Sequence, residues 1–247
     1  MLKAGEALRN AKTDPPARAE SNVNIAERNP EPAPVEDSMT LRAKPAQKTS
    51  ESTENGLRHP HLRQYAEWEP RRVGTKDTLD RLPDPVAVNK VRAVMSEIIQ
   101  QEGPIHKTRL ARLVAEAFGL ARVASARAEA ILRCLPQEFV RTTDQWSAWP
   151  GGIDPLEWRD VRRSEPGDGR NLEHVSLVEI ANAMAVVAEL GGGMSEDELK
   201  RQALTLFGGK RMTVGVSARL DAGIQRGLDT GRIERDERGL FRAVRVH

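Results

Sequence analysis

The sequence predicts a mainly α-helical protein with small β wings: tandem winged-helix-like repeats preceded by a disordered N-terminal tail. Three observations carry that expectation. From Val88 onward, apolar residues recur at the spacing of amphipathic helices. The order helix, helix, helix, hairpin occurs twice in that region. The two occurrences align without a gap at an offset of 89 residues, which sets Gly103 on Gly192, Leu110 on Leu199, Arg112 on Arg201, Phe118-Gly119 on Phe207-Gly208 and Arg122 on Arg211.

Residues 1–82 read as a tail or linker. Large apolar side chains are few in the first 60 residues, no Phe precedes Phe118, and Pro15-Pro16, the alternating Pro30, Pro32 and Pro34, and Lys44-Pro45 break any regular element. Such a stretch buries too little surface to offset the entropy of ordering its backbone. The segment 63–72 differs, with Tyr65, Trp68 and Pro70 in a polar setting. It is expected to dock on the folded part, a linear interaction motif being the alternative.

The first repeat spans 84–150. Val88, Val91, Met95 and Ile98 form one helical stripe, stopped at Glu102-Gly103-Pro104. Leu110, Leu113, Val114, Ala117 and Phe118 form a second, ended by Gly119. A third runs from about Ser125 through Ala128, Ile131, Leu132 and Leu135 to Pro136. Phe139–Arg141 and Trp146–Trp149, around a polar Thr142–Gln145, predict a hairpin. A connector spans 151–171, its first half packed around Trp158 and its second, from Arg162-Arg163 to Gly169, a mobile loop.

The second repeat spans 172–247. Its first helix carries Val178, Ile180, Ala183, Val187 and Leu190, and stops at Gly191-Gly192-Gly193. Ser195 and Glu198 are spaced as a capping box for the next helix, which carries Leu199, Ala203, Leu206 and Phe207 before Gly208. The third carries Val216, Leu220, Ile224 and Leu228 and ends at Gly231. Arg232–Arg235 and Leu240–Val244, about the turn Asp236–Gly239, predict the second hairpin. Each repeat is of marginal size for independent folding, so the two are expected to pack together.

Composition narrows the function. The net charge is only +2 although 30% of the residues are charged, so contacts to nucleic acid must come from local clusters. The single cysteine, Cys134, excludes an intrachain disulfide framework and argues against a thiolate zinc site; it suits a reducing compartment and reads as a small buried apolar residue. No run reaches transmembrane length and no signal-peptide core is present, so a cytoplasmic location is expected. Gly208-Gly209-Lys210 lacks the Walker spacing and the following Ser or Thr; His59-Pro60-His61 has no placed metal partner; His106 reads as a cap or surface residue. No catalytic residue, metal site, cofactor or small-molecule substrate is expected, and the chain is not expected to be an enzyme.

A helix-turn-helix unit sets its third helix in the major groove and meets phosphates with helix ends or wing. The candidate nucleic-acid contacts are therefore Arg122, Arg127 and Arg133 in the first repeat, and Lys210, Arg211, Thr213, Ser217, Arg219, Arg226 and Arg232 in the second. The alternative is that these cations form a solvated face and that the alanine-rich third helix of the first repeat docks on a protein. Arg122 and Arg211 have a structural alternative as well, bonding the terminal carbonyls of the second helix.

The run Glu102-Gly103-Pro104-Ile105-His106, then Leu110 and Phe118-Gly119-Leu120-Ala121-Arg122, resembles a bacterial domain of unknown function found at the C-terminus of very large superfamily 1 helicases, behind a restriction-endonuclease-like (Vsr-type) nuclease domain. Phe207–Arg211 and the helix after it fit the same pattern, and Tyr65–Pro70 resembles the connector before the domain. The resemblance spans roughly residues 65–246. It implies a non-catalytic accessory module that assists DNA processing, with DNA or a helicase or nuclease protein as partner. Ala121 stands where the family has a basic residue, and the chain carries neither helicase motifs nor nuclease carboxylates.

Overall fold

Caps and apolar spacing set the helices in the computed structural model, which describes residues 58–168 and 170–244. The expected disorder of the N-terminal tail falls mostly on residues 1–57, outside the described residues. The fold is mainly helical with three two-stranded sheets. Strand β1 (Leu62–Gln64) and the short helix α1 (Lys76–Asp80) lead into α2 (Pro85–Glu102). Asp84 caps α2 by accepting from the amides of Val86 and Ala87, each at 3.1 Å, with Pro85 at the first helical position. Strand β2 (Ile105–His106), α3 (Lys107–Ala117), α4 (Ser125–Leu132) and β3 (Ser147–Ala148) complete the first half, β2 pairing antiparallel with β3.

The second half follows β4 (Val161–Arg163). It consists of α5 (Leu177–Gly191), α6 (Glu196–Leu206), α7 (Val214–Asp229) and the antiparallel ribbon β5 (Ile233–Arg235) and β6 (Phe241–Ala243). Met194, between α5 and α6, bridges Phe241 of the ribbon just as Ile105 pairs with Ala148 in the first half. Apolar on nearly every side, α5 is correspondingly buried. Helix α7 lies close against it because Gly223 has no Cβ; one would meet Ile180 at 2.2 Å.

The 89-residue offset recurs in element boundaries. α3 and α6 have the same length; their N-caps are His106 and Ser195, their C-caps Phe118 and Phe207. Gly119 and Gly208 both take positive φ (+83° and +72°). The amides two residues past each cap, Leu120 and Gly209, close back on Ala115 and Leu204 at 2.9 and 3.0 Å, the same helix-ending turn. α4 and α7 begin at corresponding residues, although α7 runs two turns longer. Leu110 and Leu199, Phe118 and Phe207, and Ile131 and Leu220 are all buried, each within the core of its own half.

Several expectations are corrected. Order extends past the 63–72 segment, within which Trp68 is 2% exposed: Leu79 sits in the first core, and Val73 donates to the Ala117 carbonyl at 2.8 Å. The first ribbon is not a regular hairpin. Its first arm keeps one antiparallel bridge, Val140 to Ala148, between two 3-10 turns, Gln137–Phe139 and Thr142–Asp144, and the Asp144 carboxylate accepts from the indole of fully buried Trp149. Only half the capping box forms: Ser195 accepts from the Glu198 amide at 3.4 Å, but the Glu198 carboxylate turns to Arg201 and Gln202. The second half of the connector is no loose loop either, since β4 pairs in parallel with β1.

A buried ionic network explains that pairing. Glu179 of α5 is fully buried and accepts from the Arg162 amide (2.8 Å), from the Arg162 guanidinium (2.6 and 3.1 Å) and from Arg170. Arg162 also donates to the carbonyls of Glu102, Gly103 (3.0 Å) and Pro104 (2.8 Å), closing the end of α2. Arg170 stacks on Tyr65, whose hydroxyl donates to Glu102 at 2.7 Å. Glu102 in turn takes two bonds from Arg109 (2.6 and 2.9 Å) and one from the Trp68 amide (2.7 Å). Burial pushes the Glu179 carboxyl up, but the Arg162 and Arg170 guanidiniums outweigh it and hold it below the usual carboxylate range. Glu179→Ala strands two buried guanidiniums. It is expected to lower unfolding free energy in urea by about 3–5 kcal/mol; a loss under about 1 kcal/mol would show that the network does not hold the halves together.

Candidate functional site

Helical phase decides what each third helix offers a partner. In α7 the exposed stripe is Val214, Ala218, Asp221, Gln225, Leu228 and Asp229, with Val214 90% exposed. No cation stands on it. Arg219 and Arg226 lie on the flank facing the rest of the fold: Arg219 donates to the Val175 carbonyl at 2.6 Å, and the Arg226 Nη2 is buried with no hydrogen-bond partner. Asp221 pairs with Lys200, which also binds Glu196 at 2.7 Å. In α4 the exposed residues are Ser125, Ala126 and Glu129. Arg127 is half-buried and paired with Asp80.

The remaining candidates separate into two groups. Arg122, Arg133, Lys210 and Arg211 are exposed. Neither Arg122 nor Arg211 bonds a helix-terminal carbonyl among the described residues, so the structural role weighed for that pair is not the one they have. Thr213 is the N-cap of α7, accepting from the Val216 amide at 3.2 Å, and Ser217 is half-buried behind it. Arg232, expected as a wing contact to phosphate, is only 4% exposed and holds the carbonyls of Pro155, Leu156 and Trp158 together with the Asn182 side chain. Being bonded into the fold, it is removed from any flat phosphate-binding surface.

Beside the start of α7 lies a groove of about 610 Å³. Leu204, Leu206 and Met212 give it an apolar lining, and Arg163, Arg201 and Lys210 line it as well. Arg163 pairs with Glu165 at 2.8 Å and Arg201 with Glu198 at 2.8 Å, whereas Lys210 makes no ion pair among the described residues. A segment with one apolar anchor and flanking carboxylates complements this combination. Sequence reasoning placed Lys210 correctly in the turn before α7 but did not foresee the groove, because its other wall comes from the connector.

Where the halves meet, His106 and His174 stack at 4.9 Å between ring centres. His106 Nδ1 accepts from the Thr108 amide at 3.2 Å and so caps α3, one of the two roles expected for it. Nearby, Asp144 accepts from Ser176, the N-cap of α5, at 2.6 Å. Burial, then His174 and Arg219, push His106 down to about 4. No helix among the described residues is long and apolar enough to cross a membrane, and no cluster of three His, Cys, Asp or Glu side chains among them is arranged to hold a metal.

Residues 80–129 match a family model described as "Protein of unknown function (DUF3320)", a span that contains the Glu102–His106 run and the Phe118–Arg122 turn. No curated protein and no solved structure gave a significant match.

The depressed His106 fixes the sign of a pH effect. The unfolded chain takes up the proton near the ordinary histidine value of 6.5, and the folded chain only near 4. Stability is therefore full above the ordinary value and falls as pH drops through that window. His106→Asn keeps a capping acceptor without a titrating ring. Its stability in urea at a series of pH values should fall less than that of the parent between those limits; parallel curves would refute the assignment.

Proposed function

We propose that the described region is a non-catalytic docking module, two winged-helix repeats whose partner is a protein of a DNA-processing assembly. The observation that carries this reading is the outward stripe of α7: exposed Val214 and acidic Asp221 and Asp229, no cation, beside a groove lined by apolar and cationic side chains. A base-reading helix needs donors and cations on that stripe. The repeat reading rests on corresponding caps, turns and ribbon contacts at a constant offset. The choice of a helicase or nuclease as partner rests on the resemblance of the Glu102–His106 and Phe118–Arg122 runs to the domain that follows such enzymes.

A second reading, nucleic-acid binding through phosphates, is favoured by Lys210 and Arg211. Both are exposed in the turn that leads into α7, where free backbone amides add to the positive potential. Arg122 and Arg133 would add contacts from the first half.

One set of titrations separates the two. The full chain is titrated with a labelled acidic peptide bearing one leucine anchor, and with labelled duplex and single-stranded DNA, at low and moderate salt. Docking in the groove predicts saturable peptide binding, weakened about tenfold or more by Met212→Asp. DNA binding that falls steeply with salt and is lost in the Lys210→Glu, Arg211→Glu double variant would instead establish the second reading. A chain that binds neither probe has neither function.

A further inference from the structure

Buried guanidiniums in this fold come in two kinds. Arg109, Arg162 and Arg170 each meet a buried carboxylate. Arg232 does not. Its Nε donates to Asn182 Oδ1 at 2.6 Å and its Nη2 to the carbonyls of Pro155 (3.1 Å), Leu156 (3.3 Å) and Trp158 (3.1 Å), all of them neutral acceptors. The third nitrogen, Nη1, makes no hydrogen bond, and no carboxylate pairs with the residue among the described residues. Arg159 and Arg226 are charged neighbours that lower it, and Glu157 opposes them. Loss of hydration, reinforced by those two arginines, pushes Arg232 down to about 10.

Arg232 lines an open cleft of about 660 Å³. Arg159 lines it as well, its guanidinium bonded to the carbonyls of Leu156 and Trp158. His59 and His61 line the cleft too, and each already has its acid: His59 meets Glu189 and His61 meets Asp160, both at 3.3 Å. The acidic groups of the lining are thus Glu189, engaged by His59, and Glu157. A cation fixed in direction by four neutral acceptors, with one donor left over and a second arginine in the lining, is pre-organised for a charge the described residues do not supply.

We propose that the cleft at Arg232 and Arg159 is a binding site for an oxyanion, the phosphate or carboxylate group of a small ligand. The group would sit on the unused Nη1 of Arg232 and on the guanidinium of Arg159, with Asn182 holding the Arg232 plane through its own bonds to the Trp158 and Asp160 carbonyls (3.1 Å each).

The test uses the full chain, ¹⁵N-labelled, titrated by NMR with sodium phosphate and separately with sodium acetate, against sodium chloride at matched ionic strength. Saturable shifts at the Arg159 and Arg232 amides are expected at millimolar concentrations. Arg159→Glu, at the partly exposed rim, should weaken them about tenfold or more, whereas Lys90→Glu, a charge change on the first half, should leave them in place. Binding of phosphate alone assigns a phosphoryl ligand; binding of acetate alone assigns a carboxylate. Shifts that follow ionic strength only, or that survive Arg159→Glu unchanged, overturn the proposal. Because Arg159 pairs with no carboxylate among the described residues, the test does not depend on whether Arg232 variants remain folded.

Discussion

Glu179 is the residue the architecture turns on. It projects from the most buried helix of the second half, yet its two arginine partners come from the connector, and one of them, Arg162, closes the carbonyl end of a helix in the first half. Removing three charges from water costs more than a single ion pair returns, so the arrangement survives because both Glu179 oxygens and all three Arg162 guanidinium nitrogens are hydrogen-bonded. Apolar side chains of equal volume could hold two faces together, but they would tolerate sliding. The guanidinium of Arg162 fits one register only, with three consecutive carbonyls on one side and one carboxylate on the other. The segment before α1 joins the same network through Tyr65 and Trp68.

Within each half, most of the fold was legible in the sequence because it depends on local rules. Helix stripes, Gly after Phe at a helix end, Pro after Asp at a helix start and a small-residue break before the next helix all act within a few residues. The matching of Phe118-Gly119 with Phe207-Gly208 worked because a left-handed residue at that point is a backbone requirement, not a packing preference. The irregular first ribbon was missed because Trp149 reaches back to Asp144, and a propensity count over Thr142–Gln145 contains no such contact.

The network itself was not legible. Its members, Tyr65, Glu102, Arg109, Arg162, Arg170 and Glu179, are scattered along the chain, and a charge has no periodicity to betray burial. The one local signal was Glu179, the lone carboxylate in a run from Val178 to Val187 whose other residues are apolar except Asn182. Two candidate interface residues turn toward the fold for a related reason. Arg219 and Arg226 are seven residues apart, hence on one flank, and that flank borders the inward positions Leu220 and Gly227. A helical wheel would have turned them inward.

The contrast among the buried arginines carries the functional argument further than the surface does. A fold under selection for stability alone would neutralise a buried guanidinium or replace it with something apolar, since an uncompensated one weakens the native state. Arg109, Arg162 and Arg170 obey that rule and serve structure. Arg232 breaks it at the wall of an open cleft, beside a second arginine. Sites that violate local consistency without a compensating contact are where function is expected to reside. By that criterion the cleft joins α7, whose Arg219 Nε and Arg226 Nη2 are buried without a partner, as a place where this chain departs from what folding alone requires.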